Sequence, residues 1–359
     1  MADATPLLQT SMAEVAYRVT WDQFNRWVRT GRRLVRRRGL ESLPDEAEAL
    51  HDYRVALRRL RSLLQAFRPW LARVPRGSRR RLRSLMRATN ESRNIEVLLA
   101  WADAQTATLT PRHQSGAVWF AAQLRRRRAY ADDLMLNRIA KRSSPLRADL
   151  RKALGPSAVL RPPAHPLPAG YALRQLIRRE TAALEHALTA VRTMADRQEI
   201  HLARIAAKRV RYLLEPFASE LPEDSDILTR LRELQERLGA VTDAHGAADE
   251  LRLALVEASA DRAHGLSRDL LPWPGTDPSA PSVPPSPPGA RSGLAALARR
   301  LRREGDSAFE QLREEWLEGP KQELFVLLRK LAGEMPVRRS GRPDSNRRLP
   351  APKAGALPG

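Results

Sequence analysis

The chain has 359 residues, and its 63 Lys and Arg against 41 Asp and Glu give a formal net charge of +22. It contains no Cys, which excludes disulfides, thiolate zinc sites and cysteine nucleophiles. No apolar stretch is as long as the roughly 18 residues that a membrane span needs, and the first residues do not have the pattern of a secretory signal. We therefore expect a cytoplasmic protein that does not enter a membrane and that has a polyanionic partner.

Apolar residues recur at spacings of three and four along most of the chain, which predicts an all-α protein. The predicted helical segments of the first half are residues 11–38, 46–70, 79–90, 94–106 and 112–141. Those of the second half are residues 171–194, 199–220, 227–239, 243–262 and 292–332. The remaining segments are an N-terminal arm (1–10), a Pro-rich and Gly-rich linker (155–170), a Pro-rich insert (272–290) and a disordered basic tail (333–359).

The two halves of the sequence repeat each other. Residues 51–71 align with residues 201–221, and nine of the 21 aligned positions are identical. This internal repeat predicts two antiparallel four-helix bundles, formed by residues 11–154 and 171–332 and related by a pseudo-two-fold axis.

One segment in each half bears a basic stripe opposite an apolar face. At 100° per residue, these stripes comprise His51, Arg54, Arg58 and Arg61 in the first half and His201, Arg204, Lys208 and Arg211 in the second. A solvated helix face normally mixes charge signs, because like charges three or four residues apart repel. No acid offsets these stripes before Glu215, so an anion-binding face is the favoured interpretation.

Arginine presents a planar fork of donors that suits phosphate oxygens. Two facing stripes, with arginines from residues 18–38, would form a basic groove suited to a linear phosphate chain. Nucleic acid is the alternative partner, because its backbone phosphates also bind Arg clusters. Aromatic residues make up only 5% of the chain, which provides poorly for base stacking.

The repeated His-x-x-Arg-x-x-x-Arg/Lys-x-x-Arg motif resembles the CHAD family, the conserved histidine α-helical domain. The resemblance extends to residues 92–101 and 234–251 and covers about residues 11–265 and the last helix to 332. It implies two four-helix bundles around a basic central cavity and the binding of inorganic polyphosphate by the eight residues of the two stripes. We expect no enzymatic activity, cofactor or metal, and no triphosphate-tunnel (CYTH) domain of the kind that many relatives contain.

The chain departs from the family pattern in two places. An Arg-Asp pair is usual after the third helix, whereas Arg93 is followed here by Asn94, and the Pro-rich insert replaces a short connection. We interpret Asn94 and its counterpart Asp243 as helix N-caps, a position that both residue types favour.

Overall fold

The computed structural model describes residues 6–36, 45–71, 74–155, 167–222, 226–270, 286–319 and 321–335. The all-α prediction is confirmed, since these ranges contain helices and no strand. The helices of the first half are α1 (Met12–Arg36), α2 (Asp45–Ala66), α3 (Arg76–Thr106) and α4 (Pro111–Leu154). Those of the second half are α5 (Ala169–Thr189), α6 (Arg197–Leu214), α7 (Ile227–Leu270), α8 (Ala290–Leu312) and α9 (Lys321–Glu334).

Helices α3 and α7 are each continuous, although the sequence predicts two short helices in each place. Along α3, buried Ala88, Thr89, Ser92 and Ile95 keep the helical spacing across the expected gap, and no Gly or Pro interrupts them. The interpretation of Asn94 and Asp243 as N-caps is therefore wrong, because both residues lie inside helices.

Two further helix ends differ from the prediction. Helix α4 runs 13 residues past the expected end at 141 and contains Pro145, because Leu146 and Leu150 continue its buried face. The predicted segment 292–332 divides after a π-turn at Arg313–Leu317, so that α8 and α9 are separate helices. Gly319 allows this break, since a Cβ there would meet the carbonyl oxygen of Glu314.

Contacts between the halves join helices that have the same place in the order of each half. Helix α1 contacts α5, α2 contacts α6, and α4 contacts α8, while α3 packs on α4 and α7 on α8 within each half. Helices α4 and α8 approach closely at Gly116 and Gly293, where a Cβ on Gly116 would lie 2.9 Å from the Cα of Gly293. These pairings agree with a two-fold relation, which stays a prediction.

Three hydrophobic clusters hold the helices together, and two of them draw side chains from both halves. One lies within α1–α4, around Phe24, Tyr53 and Leu60. The second joins the start of α1 and the end of α2 to α5, α6, α7 and α9. The third joins α3 and α4 to α7 and α8. The two halves thus share their core, and this shared packing sets the position of α2 against α6.

Several predicted segments lie partly or wholly outside the described residues. These are residues 1–5 of the arm, 156–166 of the linker, 271–285 of the insert region and 336–359 of the tail. The rest of the arm forms a 3-10 helix, Leu7–Gln9, and the backbone N–H groups of Leu7 and Leu8 donate to the Glu220 carboxylate at 2.6 and 2.9 Å. No helix within the described ranges has both the length and the apolar character needed to cross a membrane.

Candidate functional site

The two basic stripes lie on helices that contact each other, α2 and α6. Each helix buries its apolar face, including Leu57 and Leu60 on α2 and Ala207 and Val210 on α6. Four residues of the stripes lie close enough for their charges to influence one another, and we call them the central cluster: Arg54, Arg58, Arg204 and Lys208. Two further stripe residues of α6 lie within electrostatic reach of this cluster, so the structure brings six of the eight predicted residues together.

Lys208 shows the strongest effect of this crowding. Burial and the positive charges of Arg204 and Arg58 lower its pKa to about 6. Desolvation disfavours the ammonium ion, and neighbouring cations disfavour it further. Burial together with Arg204 and Lys208 also lowers the pKa of His201, which favours the neutral imidazole. The central cluster is therefore a place where positive charge accumulates without enough negative charge to balance it.

Arg54 is the most buried member of the central cluster, with only 7% of its surface exposed. Its Nη1 donates to the carbonyl oxygen and, at 2.9 Å, to the hydroxyl oxygen of Thr89 on α3. Burial and the charges of Arg58 and Arg93 lower the pKa of Arg54 to about 10. These hydrogen bonds fix the guanidinium between α2 and α3.

Arg204 is held from the opposite side by α7. Its Nη1 lies 3.5 Å from the Asp243 carboxylate, and burial lowers its pKa although Asp243 acts in the opposite sense. Gly239, one turn before Asp243, leaves space for the guanidinium, since a Cβ there would lie 3.3 Å from Nη2 of Arg204. Asp243 is thus a charge partner of the central cluster.

The other stripe residues lie around this cluster. His51, Arg61 and His201 are exposed, and the charge of Arg83 on α3 contributes, after desolvation, to lowering the pKa of Arg61. Arg211 already has an acidic partner four residues along the chain, because its Nε lies 3.5 Å from the Glu215 carboxylate. The same carboxylate lies 2.8 Å from Nε of Arg59. Arg211 is consequently less available for an external anion than His51, Arg61 and His201.

Two residues of the site were missed by the sequence interpretation. Arg93 and Glu96 on α3 form an ion pair at 2.6 Å, and both influence the pKa of Arg54, Glu96 by raising it. Glu96 therefore places a negative charge beside Arg54, although Asn94 replaces the usual Asp. The only signal in the sequence was Asn94 itself, because an Asn in place of the usual Asp indicates that another residue nearby supplies the negative charge.

The arginines of α1 line a different cavity. Arg18, Arg26 and Arg29 contribute to a space of ≈ 580 Å³ together with Tyr212 and Glu215, and no residue of the stripes lines it. Three arginines of α1 thus lie at a cavity apart from the stripes, and the expectation that α1 completes the groove stays a prediction. In the part of the chain that the structure describes, no group of three or more His, Asp or Glu side chains is arranged to hold a metal ion.

A family model for the CHAD domain matches residues 18–252, which is more than half of the chain. The chain belongs to the CHAD family. The CHAD match covers both basic stripes as well as Glu96 and Asp243. No curated protein matches the sequence.

Two solved structures share the fold. The crystal structure of the CHAD domain from the plant Ricinus communis has a TM-score of 0.54 and 18% identity, and the match covers 91% of this chain and 94% of that one. PptA from Streptomyces chartreusis has a TM-score of 0.58 and 18% identity, with 85% of this chain and 98% of that one covered. At such low identity, the likeness concerns the helical fold alone.

Proposed function

We propose that this protein binds linear inorganic polyphosphate between α2 and α6 and does not cleave it. The observation that supports this most is the central cluster itself. Two arginines and a lysine in it have lowered pKa values because burial and mutual repulsion disfavour their charged forms. A bound polyanion would relieve that repulsion and favour the charged forms.

The available donors favour phosphate as the ligand group. Five stripe residues form no hydrogen bond or ion pair with another described residue: His51, Arg58, Arg61, His201 and Lys208. Guanidinium groups bind phosphate oxygens through two parallel N–H donors, whereas an ammonium group acts as a point charge. The stripes thus provide several phosphate-binding groups that the fold itself does not use.

The length of the stripes favours a chain over a single phosphate ion. From His201 to Arg211, ten residues of α6 span about 15 Å. Cationic or protonatable groups recur along this whole length every three or four residues. A row of evenly spaced cations matches a polymer with one negative charge per repeating unit, which is the chemistry of polyphosphate.

Direct binding tests the proposal. Calorimetry with polyphosphate is expected to show tight binding that weakens as salt rises. Arg58→Glu/Lys208→Glu places two negative charges in the central cluster and should abolish the binding. Arg299→Glu/Arg303→Glu reverses two exposed charges on α8 and serves as the matched control. Equal affinity of these two variants would overturn the site.

Competition separates polyphosphate from nucleic acid. We expect duplex DNA or RNA at the same phosphate concentration to displace polyphosphate poorly, because the central cluster offers no aromatic side chain for base stacking. Efficient displacement would favour a nucleic-acid-binding function instead. Incubation with polyphosphate and Mg²⁺ should leave the chain length unaltered, and phosphate release would contradict the non-enzymatic proposal.

A further inference from the structure

A second group of arginines lines a cavity between α3 and α4, outside the central cluster. The cavity has a volume of ≈ 560 Å³. We call it the arginine pocket, and its lining residues are Arg80, Arg81, Arg83, Ser84, Arg87, Arg138 and Arg142. This lining contains six arginines, one serine and no acidic residue, and none of the eight stripe residues is part of it.

Helical spacing explains how these arginines converge. Arg80, Arg83 and Arg87 follow one another at intervals of three and four on α3, and Arg138 and Arg142 are four residues apart on α4. The opposite faces of the two helices are buried and pack together in the core. The basic faces are thereby held side by side, although like charges at these spacings repel.

Little within the fold neutralises this charge. Arg81 pairs with the Asp149 carboxylate at 2.8 Å, and Arg142 donates to the hydroxyl of Ser84. The other four arginines of the pocket make no ion pair or hydrogen bond with any described residue. A concave surface with one sign of charge concentrates the electrostatic potential and attracts counterions.

Arg61 connects the arginine pocket with the α2–α6 stripes. It belongs to the stripe of α2, and its pKa is lowered by burial and by the charges of Arg83 on α3 and Arg209 on α6. Arg61 therefore lies within electrostatic reach of both helices. A row of basic side chains runs from Lys208 and Arg58 past Arg61 to Arg83.

We propose that the arginine pocket is a second phosphate-binding site, which takes the part of a long polyphosphate chain that extends past Arg61. This inference rests on the proposed function. The unpaired guanidinium groups of α3 and α4 would bind phosphate oxygens, as those of the central cluster do. Because the two sites would hold one chain, a long chain gains affinity that a short one cannot.

The test compares two triple variants with the same change in net charge. Arg83→Ala/Arg87→Ala/Arg138→Ala removes three of the four unpaired arginines of the pocket and leaves Arg80, while Arg81 and Arg142 keep their partners. Arg291→Ala/Arg299→Ala/Arg303→Ala is the control on α8, where all three residues are exposed. Helix α8 meets α4 at Gly116, 22 residues before Arg138, so the control lies about 33 Å from the pocket along α4.

Long-chain polyphosphate and tripolyphosphate are the two probes. Relative to the control, the pocket variant should bind the long chain about tenfold more weakly, because the second linked contact is lost. The slope of log affinity against log salt should fall by about 2, since each lost contact lowers it by roughly 0.7 on a single-stranded polyanion. Tripolyphosphate has only three phosphate groups, which the central cluster alone should hold, so it should bind both variants equally well.

Other outcomes overturn the inference in distinguishable ways. Equal long-chain affinity of the pocket variant and the control contradicts the second site but leaves the central one intact. Equal weakening for both probes contradicts the role in extending the chain. If Arg58→Glu/Lys208→Glu leaves tripolyphosphate binding unchanged, the proposed function itself fails.

Discussion

Lys208 on α6 lies beside Arg58 on α2. Burial lowers the pKa of Lys208 most, and the positive charges of Arg204 and then Arg58 lower it further. The two residues are 150 positions apart and occupy equivalent places in the sequence repeat. Arg54 and Arg204 are likewise equivalent, and they also influence each other electrostatically. The predicted two-fold relation between the halves would bring such counterparts together. The central cluster is thus the place where two copies of one basic stripe meet, and this doubles the local charge.

Polyphosphate binding is expected to take up a proton. The pKa of Lys208 is about 6 in the free protein, so its side chain is mostly neutral at pH 7.5. Phosphate oxygens beside it would raise that pKa, so the bound form holds more protons than the free form. Affinity should therefore fall as pH rises above about 6, by at most about tenfold per pH unit for this one group. Calorimetry in buffers of different ionisation enthalpy measures the proton uptake.

Lys208→Arg is the control for this proton uptake. A guanidinium group at this position stays charged where an ammonium group does not. The affinity of the variant for polyphosphate should therefore depend less on pH. Titration of the terminal phosphates contributes equally to both proteins and cancels in the comparison. Identical proton uptake by the two proteins would show that Lys208 is not the group that titrates.

Replacing Lys208 by Met should stabilise the free protein while weakening binding. Near pH 7 folding costs free energy because Lys208 has to lose its proton, and an apolar side chain of similar shape removes that penalty, by about 1–2 kcal/mol. The unfolded chain keeps the Lys208 proton up to about pH 10, whereas the folded chain loses it near pH 6. Stability of the natural protein should thus rise with pH across this window, and Lys208→Met should reduce the slope. Denaturant unfolding at several pH values measures both, and an unchanged slope would contradict the low pKa.

The helical class and the basic stripes were predictable because both follow from local spacing. Apolar residues at intervals of three and four define helices, and the same pattern places His51 and Arg58 on one side of α2. The repeat predicts that α2 and α6 have equivalent surroundings. A resemblance to the CHAD family was also predictable from these two segments, and the family match confirms it.

What the sequence did not reveal depends on contacts between distant segments. The arginine pocket forms only because α3 packs on α4, which brings Arg83 near Arg138 from 55 residues away. Glu96 acts on the pKa of Arg54 from a different helix, so no local sequence pattern indicates its role. Helix ends at Asn94 and Asp243 were mispredicted because cap-forming residue types are only weak signals when packing continues on both sides.

Glu96→Gln should raise the affinity for polyphosphate at the expense of stability. The change removes a negative charge beside Arg54 and breaks the ion pair with Arg93, in which the Glu96 side chain is largely buried. We expect an affinity gain of about two- to fivefold, because the bound anion no longer meets this carboxylate. The loss of a partly buried charged pair should lower the free energy of unfolding by about 1–2 kcal/mol. Glu91→Gln, an exposed change of equal charge on α3, is the control that should alter neither quantity. A decrease in affinity would show that Glu96 supports binding through the Arg93 pair.

Gly239→Ala should make the protein more stable but a weaker binder. Both Gly239 and Gly246 lie inside α7, where Ala is favoured over Gly by about 1 kcal/mol. At position 239 the new methyl group would lie 3.3 Å from Nη2 of Arg204, so the guanidinium has to shift away from its place beside Asp243.

Gly246→Ala is the matched control, because a Cβ at this position would meet no atom within 4 Å outside the backbone of its own helix. Both variants should unfold at higher denaturant concentration than the natural protein, by a smaller margin for Gly239→Ala. Only Gly239→Ala should lose polyphosphate affinity, by about three- to tenfold, since a displaced charged donor forfeits a strong hydrogen bond to phosphate. Equal affinities of the two variants would show that the position of Arg204 does not matter for binding, and would leave the Arg58 and Lys208 side of the cluster as the remaining site.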